Sequence, residues 1–67
     1  MKVSYDQKTD TLTVMFKERT KVTISDDGKP GAILDYDRVG DLVAIEILDA
    51  SRRVSEATRV DFEVIKD

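Results

Sequence analysis

Apolar and polar residues alternate along most of this chain, and a period of two is typical of β-strands that pack on one face. The first two alternating stretches are separated by the polar residues 6–10, which predict the turn of a hairpin. A stretch rich in aspartate and glycine, 26–31, predicts a second connection. The predicted strands are 3–5, 11–16, 21–25, two strands within 32–48, and 59–65.

A tight turn joins the two strands within 32–48. Asp37 stands at its start and Gly40 at its end. This spacing suits a type I turn followed by a glycine in the left-handed conformation.

Two registers remain open for this hairpin, because a slip of one residue moves side chains to the opposite face. A three-residue loop groups Leu34 with Leu42 and Ala44. A four-residue loop groups Leu34 with Val43 and Ile45 instead. The glycine at the end of the turn favours the three-residue loop.

The strand at 42–48 carries apolar residues on both faces, interrupted only by Glu46. Strands that are apolar on both sides are normally covered on both sides. We therefore expect the chain's own helix to cover one side and a second copy of the chain to cover the other. The predicted interaction surface consists of Leu42, Ala44, Ile45, Ile47 and Leu48.

The period changes to that of a helix over 49–57. Ala50, Val54 and Ala57 recur at helical spacing, and Asp49 precedes them as a candidate cap. Two helical turns are too short to persist without packing, so we expect this helix to dock on the sheet.

The composition indicates one small domain spanning residues 1–67, with 40% hydrophobic and 37% charged residues and a net charge of −3. A domain of this size hides only ~60% of the surface that its unfolded chain exposes, so a partner subunit is expected. The chain contains no cysteine and no histidine. This excludes Ser-His-Asp and Cys-His catalysis and the usual metal sites built from those residues, and we expect no cofactor.

The charge and hydropathy patterns limit the partners. The 14 acidic and 11 basic residues are mixed along the chain, which gives no electrostatic footprint for nucleic acid. No apolar leader and no stretch near the ~18 apolar residues of a membrane span is present, so the expected location is the cytoplasm.

One spacing resembles a calcium-binding loop. Four positions of the EF-hand template are occupied, by Asp35, Asp37, Gly40 and Glu46. Val39 stands at a ligand position without a side-chain oxygen, and both flanks alternate as strands rather than helices. The hairpin explains the same residues, so no metal site is expected. A carboxylate-based calcium binder or enzyme that uses Asp35, Asp37 and Glu46 is the alternative.

The runs 2–6, 10–16 and above all 33–51 resemble the short prokaryotic proteins grouped as domain of unknown function 2283. The third run is the most distinctive, since a tight turn, an apolar strand and the sequence Leu-Asp-Ala-Ser occur together. The resemblance implies a compact, mostly β domain of bacterial or archaeal cytoplasmic type. It implies no particular activity.

The sequence therefore predicts a small α+β domain with a largely antiparallel, meander-like sheet of five to six strands and one short helix packed on it. The predicted function is that of a non-catalytic binding or interaction module. We expect it to act as a homodimer or in a small regulatory complex with a protein partner, without binding nucleic acid or membrane.

Overall fold

The computed structural model describes residues 1–67 and shows an open antiparallel sheet with one short helix. The alternating residues form strands, because successive side chains of an extended chain point to opposite faces. The elements are β1 Lys2–Asp6, β2 Thr11–Met15, β3 Ile24–Lys29, β4 Ala32–Tyr36, β5 Leu42–Ile47 and α1 Ala50–Arg53. The predicted α+β class is confirmed at this level.

The strand order across the sheet is β1-β2-β5-β4-β3, so the predicted meander-like order is wrong. β1 and β2 form one hairpin, while β3, β4 and β5 form a three-stranded unit. The connection 16–23 carries the chain from β2 to β3 at the far edge, and β5 returns to pair with β2. This is Greek-key connectivity. Alternation identifies the strands but does not say which strands pair.

β3 lies further along the chain than predicted. The expected strand at 21–25 is shifted to Ile24–Lys29, and the expected connection at 26–31 shrinks to Pro30 and Gly31. Proline followed by a glycine with φ 77° suits a tight two-residue turn, so the aspartates before it remain in the strand.

The hairpin between β4 and β5 contains both registers at different positions. Tyr36 lies opposite Leu42 near the turn, as in the three-residue loop. Leu34 lies opposite Ile45 further along, as in the four-residue loop. A β-bulge absorbs the one-residue difference, and it includes Val43, whose exposure of 1% is the lowest of any large side chain.

The helix is shorter than predicted, since α1 covers only one turn of the expected range 49–57. Asp49 adopts a left-handed conformation with φ 51°, and its side chain makes no capping hydrogen bond. The predicted capping role is therefore wrong. Ala50 is fully buried, and its N–H donates to the Asp10 carbonyl at 2.9 Å. α1 is thus attached to the turn between β1 and β2.

The predicted strand at 59–65 is absent, so the sheet has five strands. Apolar and charged residues alternate along this segment as in a strand, but no neighbouring strand pairs with it. Phe62 and Ile65 are exposed at 76% and 81%. Alternation alone does not form a strand, because the backbone also needs a hydrogen-bonding partner.

The sheet has two faces of different character. The register places one row of mostly apolar side chains on the first, here called the apolar face: Val3, Tyr5, Leu12, Val14, Ala32, Leu34, Ile45 and Ile47. The opposite side, here called the polar face, mixes apolar and polar groups: Ser4, Thr13, Met15, Ser25, Ile33, Asp35, Ala44 and Glu46.

Candidate functional site

The five residues predicted as the interaction surface do not lie on one surface. Ile45 and Ile47 lie on the apolar face and remain half-buried. Ala44 lies on the polar face and is buried, with 3% exposure. Leu48 follows the end of β5 and is exposed. Leu42 pairs with Tyr36 beside the bulge.

The apolar face joins apolar side chains across four strands of the sheet. Directly opposed pairs join four strands in one row, Val3–Val14–Ile45–Leu34. A parallel row is Tyr5–Leu12–Ile47–Ala32. Cross-strand neighbours of this kind contact each other and stabilise the sheet. None of these eight side chains is fully buried, so the rows remain accessible to a further layer.

Asp35 and Glu46 form a carboxyl pair on the polar face. They lie diagonally across β4 and β5, and Asp35 is buried with 7% exposure. The hydroxyl of Ser25 donates to Asp35 Oδ1 at 2.6 Å. Hydrogen bonding to the Asp35 carboxyl, together with burial, raises the pKa of Glu46 above its ordinary 4.5.

Asp37 belongs to a different cluster in the turn between β4 and β5. Its Oδ1 accepts the N–H groups of Val39 at 3.0 Å and Asp41 at 2.9 Å, and its Oδ2 lies 2.6 Å from Lys17 Nζ. The Lys17 ammonium lowers the pKa of Asp37, and the hydrogen bonds to Asp37 and then Asp41 raise the pKa of Lys17. Asp37 therefore orders this turn and ties it to the segment after β2.

These contacts separate the three carboxylates of the calcium or enzyme alternative. Asp35 and Glu46 are together, whereas Asp37 is bound to a lysine and to backbone amides. The structure holds no group of three acidic side chains able to surround a metal ion. The spacing that resembles a calcium loop lies in a hairpin, which brings Asp35 and Glu46 together and holds Asp37 apart from them.

Asp10 has a structural role that was not predicted from the sequence. Its carboxylate accepts the Ser51 N–H at 2.9 Å, the Ser51 hydroxyl at 2.7 Å and the Tyr5 hydroxyl at 2.6 Å. Hydrogen bonds from Ser51 and then Tyr5 lower the pKa of Asp10, and the bond to Asp10 raises the pKa of Tyr5. Asp10 acts as the cap of α1 from a distant turn, which no local sequence signal indicates.

Two shallow grooves lie on the surface. One is lined by residues 20–23 and 37–39, beside the turn that Lys17 and Asp37 hold together. The other is lined by residues 4–8 and by Thr58. No helix in the structure has the length and apolar character needed to cross a membrane.

The fold and its clusters define a small domain built on an open antiparallel sheet, with one helical turn capped from the first hairpin. The chain belongs to the family described as Protein of unknown function (DUF2283), whose sequence model matches residues 2–51. The predicted resemblance is confirmed. No curated protein and no solved structure gave a significant match.

The matched range contains most of the regular secondary structure of the molecule. It includes all five strands and ends at Ser51, the residue that binds the Asp10 carboxylate. Residues 52–67 follow the matched range, and they include the exposed apolar segment after α1.

Proposed function

We propose that this chain is a non-catalytic interaction module that acts as a homodimer or within a small regulatory complex. The observation that carries the proposal is the apolar face, which extends over four strands while none of its eight side chains is fully buried. A second copy of the chain is the occupant that we assign to this face.

The accessible surface supports a partner. A compact monomer of 7.6 kDa exposes about 4,300 Å² by the usual scaling with mass. This chain exposes 5537 Å², which is larger by about 1,200 Å². A stable protein interface removes about 800 Å² from each partner, so the excess is sufficient for one such interface.

The radius of gyration also indicates a chain that is less compact than a typical monomer of its length. The radius of gyration is 12.9 Å, against about 11 Å for a compact chain of 67 residues. Only five residues are buried, and Val43 is the sole large one among them. A core of this size gives little stability by itself, so a second copy that covers the apolar face would supply much of the missing burial.

The chemistry of the clusters favours binding over catalysis. Asp37 and Asp10 have their carboxylates committed to structural hydrogen bonds. Asp35 and Glu46 are two acidic groups without a third ligand or a neighbouring base, and neither lines a groove. The same proposal places the module in the prokaryotic cytoplasm, in line with the family resemblance, and gives it no cofactor and no nucleic-acid partner.

The proposal is tested by two matched substitutions. Val14 lies on the apolar face directly opposite Ile45, whereas Val39 is exposed in a turn away from that face. Val14→Thr keeps the shape of the side chain but places a hydroxyl in the interface. We expect it to raise the dimer dissociation constant about tenfold, because both copies lose apolar burial.

Val39→Thr is the control and should leave the dissociation constant unchanged. Sedimentation equilibrium measures the constant, and circular dichroism verifies that both variants fold. Equal dissociation constants for the two folded variants would exclude the apolar face as the dimer interface.

A further inference from the structure

Residues 59–64, called the tail segment below, have the pattern of a strand but no strand partner. Apolar and charged side chains alternate along it, and Val60, Phe62 and Val64 are exposed at 60%, 76% and 65%. The backbone of residues 60–64 makes no backbone hydrogen bond. Exposed apolar residues on an unpaired extended segment are the features of a donor strand.

The two edges of the sheet differ in their ability to accept such a strand. β3 carries the adjacent carboxylates Asp26 and Asp27, and its register with β4 is irregular after Asp26. Charges and bulges of this kind discourage strand pairing. β1 pairs with β2 in regular register over its whole length and has none of these irregularities. β1 is therefore the available acceptor edge.

β1 and the tail segment match in one antiparallel register, with Ser4 opposite Asp61. In this register the apolar residues of the two strands meet on the apolar face, and two of the three pairs on the polar face join residues of opposite charge. The pairs are Met1–Val64, Lys2–Glu63, Val3–Phe62, Ser4–Asp61, Tyr5–Val60 and Asp6–Arg59. Against β3, the acidic residues of the tail segment would instead approach the acidic residues of that edge.

In the single chain, neither the tail segment nor the outer edge of β1 is paired with another strand. Thr58 lines a groove with residues 4–8, yet residues 60–64, which follow it, remain exposed and do not pair with β1. When two copies related by a two-fold axis exchange their tail segments, each tail segment pairs with the β1 strand of the other copy. Both tail segments and both β1 edges are then hydrogen-bonded.

We propose that the tail segment of each copy adds to β1 of a second copy as a sixth strand. This inference rests on the proposed homodimer and adds a second contact between the two copies, at the β1 edge beside the apolar face. The exchange buries the apolar side chains of the tail segment beside Val3 and Tyr5 and removes the exposed β1 edge.

Cysteine trapping tests the exchange, since the natural chain contains no cysteine. A Ser4→Cys chain is mixed with an Asp61→Cys chain under mild oxidation. Directly opposed residues of antiparallel strands have Cα atoms about 4.5–5.5 Å apart, which permits a disulfide. We expect the mixed dimer to form on the order of 100-fold faster than with a control pair of Asp27→Cys and Asp61→Cys chains.

Every other pattern of cross-links contradicts the exchange and indicates a different arrangement of the chains. A disulfide within the double variant Ser4→Cys/Asp61→Cys, with none between the mixed single variants, means that the tail segment folds onto its own β1. Rapid linkage of Ser4→Cys chains to one another means that two β1 edges meet instead. A dimer in sedimentation without trapping overturns the exchange alone, whereas a monomer overturns the homodimer as well.

Discussion

Individual carboxylates in this small protein have opposite electrostatic roles. Asp10 and Asp37 accept hydrogen bonds in their charged forms, which lowers the pKa of each. Hydrogen bonding between the carboxyl groups of Glu46 and Asp35, together with burial, raises the pKa of Glu46. The sequence spacing groups Asp35, Asp37 and Glu46, although only Asp35 and Glu46 are neighbours in the structure. Their separation depends on strand register and on Lys17, and neither can be read from the spacing of acids.

The Lys17 contact predicts a stability difference between two lysines. Lys17→Met should lower the melting temperature by several degrees, because the nearly buried Asp37 carboxylate loses its counter-ion. Lys21→Met is the control, since Lys21 is exposed and forms no ion pair, and its effect should stay within about 0.5 kcal/mol. Thermal unfolding followed by circular dichroism measures both. Equal melting temperatures for the two variants would show that the contact is not stabilising.

The Asp35–Glu46 pair predicts a pH-dependent gain from one substitution. Because the pKa of Glu46 is raised in the folded state, its uncharged form stabilises the fold at pH values below 4.5. This contribution is lost as the pH rises through the folded-state pKa of Glu46. Glu46→Gln should therefore raise the melting temperature at pH 7 and have almost no effect at pH 4.

Glu18→Gln is the control for that comparison, because this exposed side chain makes only a long ion pair, at 3.7 Å, with the N-terminal amine. It should change the melting temperature little at either pH. A lower melting temperature for Glu46→Gln at pH 7 would indicate that the charged form of Glu46 stabilises the fold.

Among the elements, the strands were more predictable than their ends and connections. β1 and β2 follow the alternation closely, because their apolar side chains form rows on the apolar face, and β5 was found from its continuous apolar run. β3 was displaced because it is an exposed edge strand whose side chains are polar. The position of α1 depends on Asp10, forty-one residues before Ser51, so local capping rules assigned the cap to the wrong aspartate.

Asp10→Asn tests this distant cap. Asparagine tolerates the left-handed φ of 53° at this position but lacks the charge that Ser51 and Tyr5 bind. The variant should melt at a lower temperature at pH 7. Because the pKa of Asp10 is lowered in the folded state, its charged form stabilises the fold at pH values above 3.8, and this stabilisation is lost as the pH falls through the folded-state pKa. The difference in melting temperature between Asp10→Asn and the unmodified chain should therefore shrink in acid.

Asp27→Asn is the control, because Asp27 is exposed and makes no side-chain hydrogen bond. A second readout is the titration of Tyr5, whose raised pKa should return towards 10.0 in Asp10→Asn. If Asp10→Asn melts like Asp27→Asn and leaves the Tyr5 titration unchanged, the cap does not contribute to the fold.

On the scale of the whole molecule, the fold class followed from the sequence but the strand order did not. Strand order depends on long-range pairing between β2 and β5, which alternation does not encode. The expected sixth strand at 59–65 is the most informative difference. Its pattern is that of a strand, while in the single chain it pairs with no other strand, and the exchange between two copies accounts for both observations.

The most direct test of the proposed homodimer is sedimentation equilibrium of the unmodified full chain across the micromolar range. If the chain forms a homodimer, its mean mass should approach twice the chain mass of 7.6 kDa as the concentration rises. A single species of 7.6 kDa at every concentration, with the fold intact, would contradict it.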